Sequence, residues 1–156
     1  MLKPLLYKSY LQTIINSVDS KQYQNFYVLD TDKNEIKDVL QGGNLSCAIF
    51  VSNILHMFSG FSKLIDIPHS PITTTIKDME RNGWYEVNEL KTGAIVQWES
   101  IDYGVTGWHS HIGFYIGNNE AVSNDYKSFK IARHSHDYNG ARKIEKIYWH
   151  DSLSEK

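Results

Sequence analysis

The sequence predicts an α+β fold, with helices gathered in the first half and an antiparallel sheet in the second. Three observations predict it. Apolar residues at helical spacing are confined to the region before Gly83. Strand-like alternation recurs from Gly93 to the C-terminus. Strands and helices nowhere alternate, as the crossovers of a parallel sheet would require.

Taken in order, residues 5–18 carry Tyr7, Leu11, Ile14, Ile15 and Val18 on one helical face. Residues 19–24 are polar and read as a loop, and 25–29 as a short strand or an extended connection. Asp30, Asp32 and Asn34 have the opening spacing of a calcium loop. Glu35 stands where that loop needs glycine and Gln41 where it needs a bidentate acid, so a turn is expected instead.

Gly42 and Gly43 interrupt the chain before the clearest helix, 45–59. Its apolar stripe is Phe50, Val51, Ile54, Leu55 and Phe58, and its polar stripe is Ser52, Asn53, His56 and Ser59. Gly60 is placed to end it. Pro68 and Pro71 mark 61–72 as a loop, and 73–82 reads as a short helix closed by Gly83. Strands are expected at 93–98, 111–116, 120–124, 129–133 and 144–149. No repeat or linker divides the chain, so residues 1–156 are expected to form a single domain.

Composition narrows the function classes. Sixteen basic and eighteen acidic residues leave a formal charge of −2 with no long run of one sign, which gives nucleic acid or an anionic membrane no electrostatic purchase. No stretch is long and apolar enough to span a bilayer. The N-terminus lacks the apolar run and cleavage site of a signal peptide. A cytoplasmic location is therefore expected, and any action on a cell wall would follow delivery by another route or lysis. The chain has one cysteine, which rules out an internal disulfide.

That cysteine, Cys47, falls in the first turn of the clearest helix, with Asn44 or Ser46 as the cap. The helix dipole and unpaired N–H groups there favour a thiolate and should lower the thiol pKa. Cys47 also begins the apolar stripe, at the edge of whatever the helix packs on. His111 opens a strand in which His111, Gly113 and Tyr115 share one face and Ile112, Phe114 and Ile116 the other. Gly113 leaves space beside the imidazole.

A hairpin is expected at Gly117-Asn118-Asn119. An even loop closing at Asn118-Asn119 sets Asn124 diagonal to His111, within side-chain reach. An odd loop sets Ser123 there instead. His134, on the following strand, is a further candidate. Asn124 is favoured, because a carboxamide holds an imidazole tautomer well. A helix-start cysteine, a strand histidine and a polar neighbour together form a nucleophile–base–orienter constellation.

Three segments resemble the NlpC/P60 family of papain-like cysteine peptidases and the related CHAP amidases. They are Gly-Gly-Asn-Leu-Ser-Cys-Ala-Ile-Phe-Val-Ser (42–52), Thr-Gly-Ala-Ile-Val-Gln-Trp (92–98) and His-Ile-Gly-Phe-Tyr-Ile-Gly-Asn (111–118). The resemblance implies a papain-like fold, its cysteine helix packed on a five- or six-stranded antiparallel sheet. It implies amide hydrolysis, often in bacterial cell-wall peptides, with a peptide or peptidoglycan fragment as substrate and no cofactor. By position, Cys47 matches the nucleophile and His111 the base, and the third polar residue falls at Ser123–Asn124.

Two other classes fit parts of the pattern. His109 with His111, and His134 with His136, have the i, i+2 spacing of a metal hydrolase, and Asp137 follows the second pair. Trp84, Trp98, Trp108 and Tyr103 would suit a glycan- or peptide-binding module on the same fold with its chemistry lost.

Overall fold

The computed structural model describes residues 1–154. Three helices, α1 (Leu6–Asn16), α2 (Cys47–Met57) and α3 (Ile72–Arg81), pack with an antiparallel six-stranded sheet. The sheet contains β3 (Tyr85–Val87), β4 (Ile95–Asp102), β5 (Trp108–Gly117), β6 (Glu120–Asp125), β7 (Lys130–Ser135) and β8 (Ile144–Trp149), in the order β3-β8-β4-β5-β6-β7. A separate hairpin joins β1 (Tyr27–Asp30) to β2 (Glu35–Asp38). No helix among the described residues is long and apolar enough to cross a membrane.

The α+β expectation holds, and all six strands of the main sheet follow the helices, while the β1–β2 hairpin lies between α1 and α2. Two strands go beyond that expectation. β2 pairs with β1 around the Asp30–Asn34 turn, where the Asp30 carboxylate accepts from the N–H groups of Asp32 and Lys33. β3 is only three residues long and forms the sheet edge. Both are too short for alternation to stand out in sequence.

α2 is the central helix. Its apolar stripe meets the sheet through Phe50, whose ring stands edge-on to Phe114 of β5 with centroids 5.5 Å apart. The expected polar stripe is not wholly exposed. Ser52 is buried; its hydroxyl donates to the Ala48 carbonyl and accepts from the His69 N–H. That bond fastens the proline-containing loop over α2. α1 closes one end of the core: Tyr10 is buried and donates to the Gly93 carbonyl at 2.9 Å.

The sheet has two apolar faces. Ile112, Phe114 and Val122 join the main core under α2, while Val96, Trp98, Tyr115 and Ala121 form a smaller cluster on the other side. The β5–β6 hairpin turns at Asn118 and Asn119, both with positive φ, as a tight two-residue turn demands. Gly117 then pairs with Glu120, but Tyr115 pairs with Ala121. Ile116 is therefore an extra residue, a β-bulge, and it shifts the register of β6 by one for the rest of the hairpin.

Candidate active site

Cys47 is the first residue of α2. The preceding turn needs its glycines: Gly43 has φ of 107°, and a Cβ there would lie 2.7 Å from the Phe129 carbonyl oxygen. Ser46 holds the cap position but makes no side-chain cap bond. The opening N–H groups of α2 are thus left for other partners, and those of Cys47 and Ala48 are directed at the thiol sulfur. The regular β5–β6 pairing ends at Phe114–Val122, and the N–H of Ile112 also reaches the sulfur.

His111 stands one residue earlier on β5. Both side chains line one cleft of about 370 Å³, together with Asn44, Thr73, Tyr103 and Trp108. That is within the size range of small-ligand sites. Among the described residues no hydrogen bond joins the Cys47 sulfur to the imidazole.

The imidazole is held from behind. His111 Nε2 lies 2.9 Å from Ser123 Oγ. The same oxygen lies 2.6 Å from His134 Nε2 and 3.2 Å from Tyr138 Oη. Gly113 makes this contact possible, because a Cβ there would come within 2.6 Å of the Ser123 Cβ. The space expected beside the imidazole is thus occupied by Ser123 and by the Trp98 ring.

Asn124, favoured as the orienting residue, faces the other way. Its Nδ2 donates to the Gly43 carbonyl at 2.8 Å. The turn closes at Asn118-Asn119 as expected, and the bulge at Ile116 then exchanges the two faces. Asn124 therefore tethers the glycine turn that carries Cys47, and Ser123 takes the place beside His111.

Burial sets the protonation states. It pushes the Cys47 thiol up to about 11, against the N–H groups and the charge of Arg142, which act in the opposite direction. The expectation that the helix start lowers this pKa is thus overturned: desolvation outweighs the dipole. Burial also holds His111 well below the ordinary histidine range, with Arg142 and His134 adding to the effect. In the resting site both thiol and imidazole are neutral.

Arg142 gave no signal in the sequence. It is 4% exposed and forms no salt bridge among the described residues. Instead it donates to the Glu99 carbonyl at 2.9 Å, the Tyr103 hydroxyl at 3.1 Å and the His109 carbonyl at 2.9 Å. Tyr103, stacked on Tyr126 with centroids 3.9 Å apart, accepts that bond at the cleft wall.

The histidines of the two His-x-His pairs are engaged separately. His109 donates to the Thr106 carbonyl and His136 to the Asn119 carbonyl. Among the described residues no cluster of three or more His, Cys, Asp or Glu side chains is arranged to hold a metal ion. The four aromatics also divide. Trp84 and Trp98 are buried and donate to backbone carbonyls, whereas Trp108 is 71% exposed on the cleft. The chain matches no family model and no curated relative.

Proposed function

We propose that this protein is a cysteine hydrolase of amide bonds on a papain-like fold of the NlpC/P60 kind, acting on peptides of the peptidoglycan type. One observation carries the reading. A cysteine at an uncapped helix start shares a cleft with a strand histidine whose Nε2 is hydrogen-bonded to Ser123.

In the proposed reaction His111 accepts the Cys47 proton as the sulfur attacks the amide carbonyl. The new C–S bond moves the carbonyl π pair onto oxygen. The Cys47 N–H is one donor to that oxyanion. The Tyr103 hydroxyl is another, since it accepts from Arg142 and its own proton has no acceptor among the described residues. Collapse breaks the C–N bond, and the amine leaves with the proton from His111. Water then attacks the thioester, giving its proton to His111, and releases a carboxylic acid and the free thiol. With both groups neutral at rest, deprotonation accompanies attack rather than preceding it as an ion pair.

Purified peptidoglycan incubated with the protein tests this, with products read by mass. The proposal expects fragments with new amino and carboxyl ends from the wild type and none from Cys47→Ala. Equal release by both would remove Cys47 from the chemistry.

The raised thiol pKa and exposed Trp108 favour one second reading, a binding module for the same class of ligand. Peptidoglycan pull-down that needs Trp108, without any cleavage by the wild type, would support it.

A further inference from the structure

We propose that His134 is a positioning residue that acts through Ser123, fixing His111 with its proton on Nε2 and leaving Nδ1 as the base. The purpose of this relay rests on the Cys47–His111 reading above; its hydrogen-bond content stands apart from it.

The direction of every proton follows from one carbonyl. His134 Nδ1 lies 2.7 Å from the Ser135 carbonyl oxygen, which can only accept. Nδ1 therefore carries the proton, and in a neutral ring Nε2 is an acceptor. Burial keeps this ring neutral, lowering its pKa. Ser123 Oγ, 2.6 Å away, must then donate to that Nε2.

A hydroxyl has one proton and two lone pairs. The remaining two neighbours of Ser123 must both donate to it. Tyr138 does so through its hydroxyl, and His111 through Nε2–H. The hydroxyl then has no spare proton or lone pair, so it cannot turn and donate to His111. The opposite tautomer of His111, with its proton on Nδ1, would place two lone pairs against each other.

The relay is also held mechanically. The His134 ring stacks on Tyr138 with centroids 4.1 Å apart and planes 18° apart. Tyr138 is held in turn by its N–H, which donates to the same Ser135 carbonyl at 3.1 Å. Three elements (β5, β7 and the loop after β7) thus converge on one oxygen atom of β6. A serine flanked only by solvent would not specify a tautomer; a serine ending on a fixed histidine acceptor does.

Long-range proton–nitrogen NMR of the histidine rings in the full chain tests the proposal without any substrate. The wild type is expected to show His111 protonated on Nε2 and His134 on Nδ1. His134→Phe keeps the ring stack but removes the acceptor, and is expected to give mixed tautomers at His111. His134→Gln, whose side-chain oxygen can accept from Ser123, is expected to restore the single tautomer. On activity, His134→Phe should lower kcat about tenfold or more, since a wrong tautomer disables a catalytic histidine. The same substitution in a Ser123→Ala background should add little to the tautomer change, because the hydrogen-bonded path from His134 to His111 runs through Ser123.

A wild-type His111 protonated on Nδ1 overturns the proposal even if no variant folds, as does an unchanged His111 tautomer in a folded His134→Phe. The predicted tautomers without Cys47-dependent hydrolysis would keep the relay and remove the hydrolase reading.

Discussion

Ser123 Oγ lies 2.9 Å from His111 Nε2, and the residue that makes room for it is Gly113, on the same strand as the histidine. A methyl group on Gly113 would meet the Ser123 Cβ at 2.6 Å and the Trp98 ring at 3.0 Å. Both neighbours are buried, so neither can swing into solvent. Gly113→Ala is expected to cost about 2 kcal/mol of stability by overpacking and to push Ser123 off the imidazole. A lower urea midpoint at unchanged slope, with hydrolysis falling further than the unfolded fraction explains, checks it.

Asn124 has a different task from Ser123, and the two can be separated. Asn124→Ala leaves the Gly43 carbonyl without its 2.8 Å donor. A loss of about 1–2 kcal/mol is expected, with slower Cys47 chemistry because the turn before α2 is loosened. The His111 tautomer is expected to stay as in the wild type. A urea titration and the ring-nitrogen spectrum together measure both outcomes.

The hairpin also marks how far the sequence could be read. The Asn118-Asn119 turn, the Gly42–Gly43 break, the start of α2 and the histidine strand were all legible, because each depends on local backbone chemistry. The exchange of Asn124 for Ser123 was not. It depends on one bulged residue, Ile116, in a segment whose alternation looks regular. The same holds for Arg142 and Tyr138, which sit in a loop and gain meaning only from the strands that fold around them. The thiol pKa departs from the expectation for a related reason: sequence shows the helix start but not the desolvation that opposes it.

pH dependence follows from the two shifts. The thiol pKa is raised from its unfolded value of about 8.5 to about 11 in the fold. Its contribution to stability is complete below the unfolded value and lost as pH rises through the folded one. His111 is lowered, so its contribution is complete above the unfolded value near 6.5 and lost as pH falls through the folded one. Iodoacetamide alkylation of Cys47 is expected to climb steadily from neutral pH towards about 11. A rate plateau already reached at neutral pH would show a preformed thiolate instead.

Arg142 joins β4, β5 and the cleft tyrosine through three hydrogen bonds, with no carboxylate partner among the described residues. Arg142→Ala leaves the Glu99 and His109 carbonyls without their guanidinium donor, an expected loss of about 2–4 kcal/mol. Lysine should not rescue it, since an ammonium cannot span the guanidinium's fixed fork. Removing the positive charge is expected to raise the pKa of both His111 and His134, because Arg142 lowers each. Urea unfolding and NMR titration of the two rings measure these effects, and an unmoved His111 would contradict the electrostatic role.

The central claim is that Cys47 is a nucleophile driven by His111. Acylation by p-nitrophenyl acetate measures it most directly, with p-nitrophenolate release followed by absorbance and the acetylated protein by intact mass. A single acetyl group is expected on Cys47 in the wild type and none on Cys47→Ala, with acylation slowed about a hundredfold or more in His111→Ala. Acylation of His111→Ala at the wild-type rate would contradict the claim.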